Sequence, residues 1–321
     1  MNLKGLDQVR NGKFYLDAAL GKMRTAKPGT IPKDKTKKKE LIEKEKLRSL
    51  RTSLKDQMSR IVSSFPDFNN LPEFYDRLID TSLDKDRLRK SLSTLSWSGD
   101  KIEELLADTL KKMTNAQETA VERHKKAFIG RVASIMKRLN PHLDYLESAR
   151  RILLTFPSVK TDTYTLCISG FPNVGKSTLL TKITTARPEI GSYAFTTKSL
   201  NIGYFDSRFE KVQVIDSPGT LARFEKMNGI EQQAYLALKY VADIIVFVFD
   251  LSEPYPIDDQ LRLYENVKEM EKPIIIYFSK LDILPKANAE EFVKKMNLPD
   301  VAWDFLELKD AVQKKMKKRF H

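Results

Sequence analysis

The stretch Gly170-Phe-Pro-Asn-Val-Gly175-Lys176-Ser177 constrains the fold of this chain more than any other. It has the GxxxxGK[ST] spacing of a phosphate-binding loop, follows an apolar run (Leu166 to Ile168) and leads into a helix-compatible one from Thr178. Strand, glycine-rich turn and helix in that order open a doubly wound α/β sheet. The glycines free the backbone, so the N–H groups of Asn173, Val174, Gly175, Lys176, Ser177 and Thr178 can curl around a phosphate. Lys176 then reaches the β/γ oxygens, Ser177 offers its hydroxyl to Mg²⁺, and the helix points its positive dipole end at the anion.

Composition excludes several classes. No apolar run in the 321 residues approaches the roughly 20 needed to span a bilayer, so no membrane is expected. Met1-Asn-Leu-Lys-Gly lacks a signal-peptide core. The single cysteine, Cys167, excludes an intramolecular disulfide, fits a reducing compartment and, inside a strand, reads as a buried apolar thiol. His124, His142 and His321 lack metal-ligand spacing, so no zinc chemistry is expected.

Charge is distributed unevenly. Residues 1–160 carry 34 Lys and Arg against 21 Asp and Glu, whereas residues 161–321 carry 22 of each, so the net +13 sits in the first half. A solvated lysine-rich helix face and a surface for a phosphate backbone both fit.

The first half has helical periodicity. Expected helices cover Leu6–Lys22, Thr36–Ser63, Pro72–Ile79 and Asp84–Leu95, with Ser98-Gly99-Asp100 capping another from Lys101 towards Leu139. Asn140-Pro141 should break that helix, leaving a last one over Leu143–Leu154. Together they predict an all-α bundle of four or five helices over residues 1–160.

After Pro157 the period changes to alternating strands and helices. Strands are expected at Tyr164–Ile168, Leu200–Phe205, Lys211–Ile215, Ile244–Asp250 and Ile274–Phe278, the second and third joined as a hairpin. Helices are expected at Lys176–Thr184, Gly229–Val241, Asp258–Met270 and Ala289–Lys295. The prediction for 161–321 is therefore a Ras-like α/β domain, mostly parallel, with a basic helical tail.

Further motifs follow in order. Asp216-Ser-Pro-Gly219 is a DxxG at a strand end, where the aspartate can hold Mg²⁺ through water and the Gly219 N–H can sense a γ-phosphate. Thr196 and Thr197 lie where a switch threonine closes over Mg²⁺. Ser279-Lys-Leu-Asp282 stands in the place of [NT]KxD: the Asp282 carboxylate can accept from guanine N1 and N2 while the Lys280 stem covers the base. Adenine offers no such donor pair, so GTP and GDP are expected rather than ATP.

Three segments carry a resemblance: Phe171-Pro-Asn-Val, Tyr193-Ala-Phe-Thr-Thr-Lys-Ser and Ile230-Glu-Gln-Gln-Ala-Tyr-Leu-Ala-Leu resemble the Obg-related GTPases, and within them the Nog (nucleolar GTP-binding) branch. In the helical half, Pro72-Glu-Phe-Tyr-Asp-Arg-Leu, Leu83-Asp-Lys-Asp and Tyr145-Leu-Glu-Ser-Ala-Arg-Arg are similar to that branch's N-terminal domain. The resemblance implies a monomeric GTPase acting in assembly of the large ribosomal subunit or its precursor, its helical domain contacting rRNA. Without the long C-terminal extension of nucleolar members, the chain looks like a short archaeal, cytoplasmic form. Lys176, Thr197 and Gly219 would carry catalysis, with Ser177, Thr197 and Asp216 holding Mg²⁺. Two other readings stay open: a nucleotide-gated RNA-binding module with little hydrolysis of its own, and a trafficking or membrane-surface GTPase.

Departures from the pattern matter. Ser279 replaces the usual Asn and should loosen the tie between the Asp282 loop and the phosphate loop. Thr220 stands where some GTPases keep a water-orienting Gln, so intrinsic hydrolysis should be slow. Asn173 resembles the asparagine that binds K⁺ in related GTPases; the plainer reading is a turn residue. After Leu284 neither a sixth strand nor an [ST]A[KL] loop is legible, and a gap near Asn297–Pro299 is expected, because five strands would leave the base half exposed.

Overall fold

The computed structural model describes residues 3, 5–29, 34–114, 116–184, 189–190, 200–217, 229–252 and 256–317. Backbone contacts divide the chain into two units, one of residues 2–71 and 79–156, the other of 157–321 with Pro72–Leu78.

The first unit is helical. Helices α1 (Gly12–Thr25), α2 (Lys35–Ser64), α4 (Lys85–Met113) and α5 (Glu118–Leu153) pack together, and α3 (Glu73–Ser82) lies between α2 and α4 in the chain. Leu47, Leu50, Leu54, Leu88, Leu95, Ile102, Val132 and Leu146 are buried, as the 3.6-residue period requires.

Several helix boundaries differ from expectation. α4 ends at Met113 and α5 begins at Glu118, so the helix expected from Lys101 towards Leu139 is divided between two. α1 starts at Gly12, not Leu6, because Asn11 caps it, its Oδ1 accepting from the Phe14 N–H at 2.9 Å. Ser98-Gly99-Asp100 caps nothing. α4 runs through it: Ser98 and Gly99 are both buried, and the Ser98 hydroxyl donates to the Leu95 carbonyl. Asn140-Pro141 breaks nothing either. α5 continues because Leu139 before the lost rung and Leu143 and Leu146 after it are buried, and Asn140 Oδ1 accepts from the Gly12 N–H at 2.7 Å. Gly12 cannot be larger: a Cβ would stand 2.2 Å from the Met136 carbonyl oxygen.

Among the described residues the second unit forms a seven-stranded sheet in the order β2-β3-β4-β1-β5-β6-β7. The strands are β1 (Thr165–Gly170), β2 (Glu189–Ile190), β3 (Asn201–Asp206), β4 (Lys211–Asp216), β5 (Ile244–Phe249), β6 (Ile274–Phe278) and β7 (Val301–Ala302). Only β3 runs against the others, pairing antiparallel with β2 and β4, as the hairpin predicts. Helices α6 (Lys176–Ile183), α7 (Gly229–Tyr240), α8 (Ile257–Lys268), α9 (Lys286–Met296) and α10 (Phe305–Lys317) connect or follow the strands. β1 and β5 are buried along their whole length, as central parallel strands are. One sheet face packs Leu166, Ile168, Val214 and Val246 against Leu179 and Ile183 of α6 and Val312 and Met316 of α10. Tyr75, from the Pro72–Leu78 segment, belongs to this unit: its hydroxyl donates to the Pro157 and Val159 carbonyls, and burial raises it to about 12.

The expected gap near Asn297–Pro299 is not there. Asn297 closes α9 in the left-handed conformation (φ 48°), Asp300 follows at φ 47°, and the chain enters β7, a sixth strand of the core order. Its two residues are too few for periodicity to register.

Candidate functional site

The carboxyl ends of β1, β4, β5 and β6 gather Gly170, Asp216, Asp250 and Ser279 at one edge of the sheet. Gly170 has φ 147°, and a Cβ there would stand 2.6 Å from the Val248 carbonyl oxygen, so only glycine lets the loop leave β1 beside β5. Asn173 (φ 61°) and Gly175 (φ 90°) complete the turn in left-handed conformations. Asn173 is thus a turn residue, tolerated there by its short polar side chain. Val174 is buried and anchors the loop, while Ser177 and Thr178 are exposed at the start of α6.

Lys176 folds back into the loop. It is buried, its Nζ donates to the Phe171 carbonyl at 2.6 Å, and burial pulls its pKa down to about 8, with the Asp216 charge opposing that shift. Asp216, also buried, accepts from the Ser177 hydroxyl at 2.5 Å and from Asn201 Nδ2 at 3.3 Å, both at Oδ2. Its Oδ1 has no hydrogen-bond partner among the described residues. Burial raises the Asp216 pKa despite Ser177 and Lys176. Both charges are thus disfavoured by desolvation more than their mutual attraction repays. A hard cation at the hydroxyl and carboxylate, with an anion at Lys176, would relieve both, and this donor set fits Mg²⁺. Ser217 fixes the start of the DxxG segment: its N–H and hydroxyl both donate to the Ile168 carbonyl, at 3.1 and 2.8 Å.

The base-binding side is built differently. Ser279 donates from N–H and hydroxyl to the Phe249 carbonyl, at 3.0 and 3.3 Å, and its Cβ lies 3.5 Å from an ideal Cβ on Gly175. The loop therefore abuts the phosphate loop by packing, without a side-chain hydrogen bond to it among those observed. Lys280 (φ 56°) pairs with the buried Asp250 at 2.5 Å, which holds the Asp250 carboxyl below its usual range against burial. Asp282 is exposed. Beyond β7, Trp303 stacks on Phe278 at 5.5 Å, and Asp304 Oδ1 accepts from the N–H groups of Leu306 and Glu307, both at 2.8 Å. Those two amides are therefore committed to the helix cap.

The structure brings Asn173, Val174, Gly175, Lys176, Ser177, Thr178 and Asp216 into one cradle, with Lys280 and Asp282 on the β6 loop beside it. Thr196, Thr197, Gly219, Thr220 and His321 lie outside the described residues. Two participants escaped sequence reasoning. Asn201 pairs with Asp216 across the β3–β4 hairpin, a register readable once the hairpin is assumed. Asp250 carried a signal as the polar residue ending an apolar strand. Cys167 is buried, its thiol pushed up by desolvation.

Two family descriptions match this chain: the NOG1 N-terminal helical domain over residues 4–160, and a 50S ribosome-binding GTPase over residues 165–280. A Methanocaldococcus jannaschii protein described as uncharacterized is 35% identical over 252 residues, covering 77% of this chain and 71% of that one. The chain belongs to the Nog family of GTP-binding proteins. Nucleolar GTP-binding protein 1 of Drosophila melanogaster is 33% identical over 90% of this chain but only 46% of its own length. Against such nucleolar Nog relatives the chain thus spans somewhat under half. The G domain of the T. maritima FeoB iron transporter is 24% identical over 48% of this chain and 99% of that one, with a TM-score of 0.41. Among the described residues no helix is long and apolar enough to cross a membrane.

Proposed function

We propose that this chain hydrolyses GTP to GDP and phosphate as a switch in assembly of the large ribosomal subunit, touching rRNA through its basic helical domain, residues 1–160. The observation that carries the nucleotide half is the buried pair Lys176 and Asp216 with the Ser177 hydroxyl bonded to Asp216, whose Oδ1 has no hydrogen-bond partner among the described residues. Backbone N–H groups from Asn173 to Thr178 bind the phosphates, and Lys176 leaves the Phe171 carbonyl to pair with the β/γ oxygens. Ser177 and Asp216, with Thr197 in the GTP state, would hold Mg²⁺, which when bound neutralises charge on the transferring phosphoryl group. Lys176 adds its own charge there, and the Gly219 N–H reads the γ-phosphate. Asp282 selects guanine; Lys280, held by Asp250, covers the base.

Hydrolysis is intrinsically slow, because Thr220 supplies no water-orienting amide. Asn173 is the candidate K⁺ contact, and equal rates in K⁺ and Na⁺ would remove that role. The charge asymmetry supports an RNA partner, and the single, buried cysteine is consistent with a reducing, cytoplasmic setting. If hydrolysis stays negligible in K⁺ and with large subunits present, the chain is instead a nucleotide-gated RNA-binding module. The test is co-sedimentation with large ribosomal subunits and their precursors, in GDP, GTP or a non-hydrolysable analogue, at two salt concentrations. The expected result is association that depends on the GTP state and falls ~10³-fold over a few-fold rise in salt, if six or more phosphates are neutralised. No association in any state would leave guanine-nucleotide binding alone standing.

A further inference from the structure

The helical unit contains an open groove of about 770 Å³ between α4 and α5, within the size range of ligand sites. Its origin is local. On α4, Trp97, Lys101 and Leu105 fall one helical turn apart along one face; on α5, Ala127, Gly130 and Ser134 leave that face low. Gly130 is the low point, since a Cβ there would meet nothing within 4 Å. Small residues opposite a large one leave a trough, and Trp97 stands in its wall 60% exposed.

An indole this exposed has no place in the helical core, and the groove's charge says what suits it. Lys101, Arg131 and Arg138 line it, and no Asp or Glu does. Arg131 and Arg138 form no ion pair among the described residues. Arg138 is held by its own helix, donating from Nε to the Ser134 carbonyl at 3.4 Å. Lys101 is paired with Glu104 at 2.6 Å, and Arg131 lies within the field of Asp108, which is itself paired with Lys112. The far end is polar: His142 Nδ1 lies 3.1 Å from the Ser91 hydroxyl. A flat exposed aromatic, an apolar floor and unpaired guanidiniums match an unstacked base followed by phosphates. An apolar helix from a protein partner would leave Arg131 and Arg138 facing its hydrophobic face, so charge complementarity favours the nucleic acid.

We propose that the α4–α5 groove is a binding site for unpaired RNA, in which a splayed-out base stacks on Trp97 while Arg131 and Arg138 hold the flanking phosphates. This deepens the RNA reading of the helical domain and rests on it, but it names a site and a strand state. Duplex RNA, its bases stacked inside, should gain nothing from Trp97.

The test uses the full-length chain with Trp303→Phe, which keeps a ring on Phe278 and leaves Trp97 as the sole indole. Short single-stranded oligoribonucleotides should quench its emission; duplexes of equal length should not. Trp97→Ala should weaken single-strand binding roughly tenfold without changing duplex binding. Gly130→Leu, which fills the groove without altering charge, should do the same. Arg131→Ala with Arg138→Ala should flatten the salt dependence by about two phosphates. If single-stranded RNA binds but Trp97→Ala and Gly130→Leu leave its affinity unchanged, the groove is overturned while the RNA reading survives. If no RNA binds at all, both fall. Two outcomes reassign the groove and overturn the proposal: a Trp97 shift on adding RNA-free large-subunit proteins but not protein-free rRNA, or one that tracks self-association on concentrating the chain.

Discussion

The phosphate side and the base side of the nucleotide site are built on opposite principles. On the first, Lys176 and Asp216 are buried, Ser177 is bonded to Asp216, and Gly170 permits a loop no other residue could follow. On the second, Asp282 is exposed, Lys280 is tied to Asp250, β7 is two residues long, and the Leu306 and Glu307 amides are spent on the α10 cap. Desolvated charges interact strongly with a ligand and exposed ones weakly. Affinity should therefore come from phosphates and metal, with the base adding selectivity.

Lys176→Ala is the hardest blow to that asymmetry and should cost roughly a thousandfold in GDP affinity, because it leaves Asp216 buried beside an unpaired anion. Displacement of a fluorescent GDP analogue checks this. Asp282→Ala should cost less, roughly a hundredfold for GDP, and should leave the already weak ADP binding unchanged. Comparable losses in the two variants would break the comparison.

The titration of Lys176 sharpens it. With the folded value pulled down to about 8 from 10.5, the unfolded chain binds more protons than the folded one between those pH values. This group's contribution to stability therefore rises with pH across that window. Nucleotide binding has the opposite sign: a phosphate restores the proton, so affinity should fall above pH 8, approaching tenfold per unit. Calorimetry near pH 8.5 in buffers of different ionisation enthalpy should show uptake of roughly three-quarters of a proton. No uptake would mean Lys176 is already charged in the empty site. The smallest effect is expected at Ser279→Asn, which adds a side-chain amide towards the phosphate loop. GDP binding should tighten only a few-fold, as measured by the dissociation rate, and a large gain would show that the base side matters more than its exposure suggests.

The phosphate side was legible because its chemistry is local in sequence: Gly170 to Thr178 is one turn and one helix start. Asp216 was legible as the head of a DxxG at a strand end, and the mostly parallel sheet with one antiparallel strand followed from alternation and the hairpin. What escaped depends on tertiary packing. Asn140-Pro141 and Ser98-Gly99 look like punctuation, yet α5 runs through one because apolar residues are buried on both sides of it. α4 runs through the other because Ser98 and Gly99 are themselves buried in its packed face and the Ser98 hydroxyl bonds back to the Leu95 carbonyl. Strand β7 hid because two residues have no period, and its place is fixed by pairing with Ile276 and Tyr277. Asn201 became a partner of Asp216 only through hairpin register.

The most direct test is a parallel titration of the chain with GDP, GMP and ADP in Mg²⁺. If the buried phosphate side dominates, GMP, which lacks the β-phosphate, should bind more than a hundredfold more weakly than GDP, a larger loss than ADP shows. GMP binding within tenfold of GDP would contradict the account, placing the affinity in the exposed base loop instead.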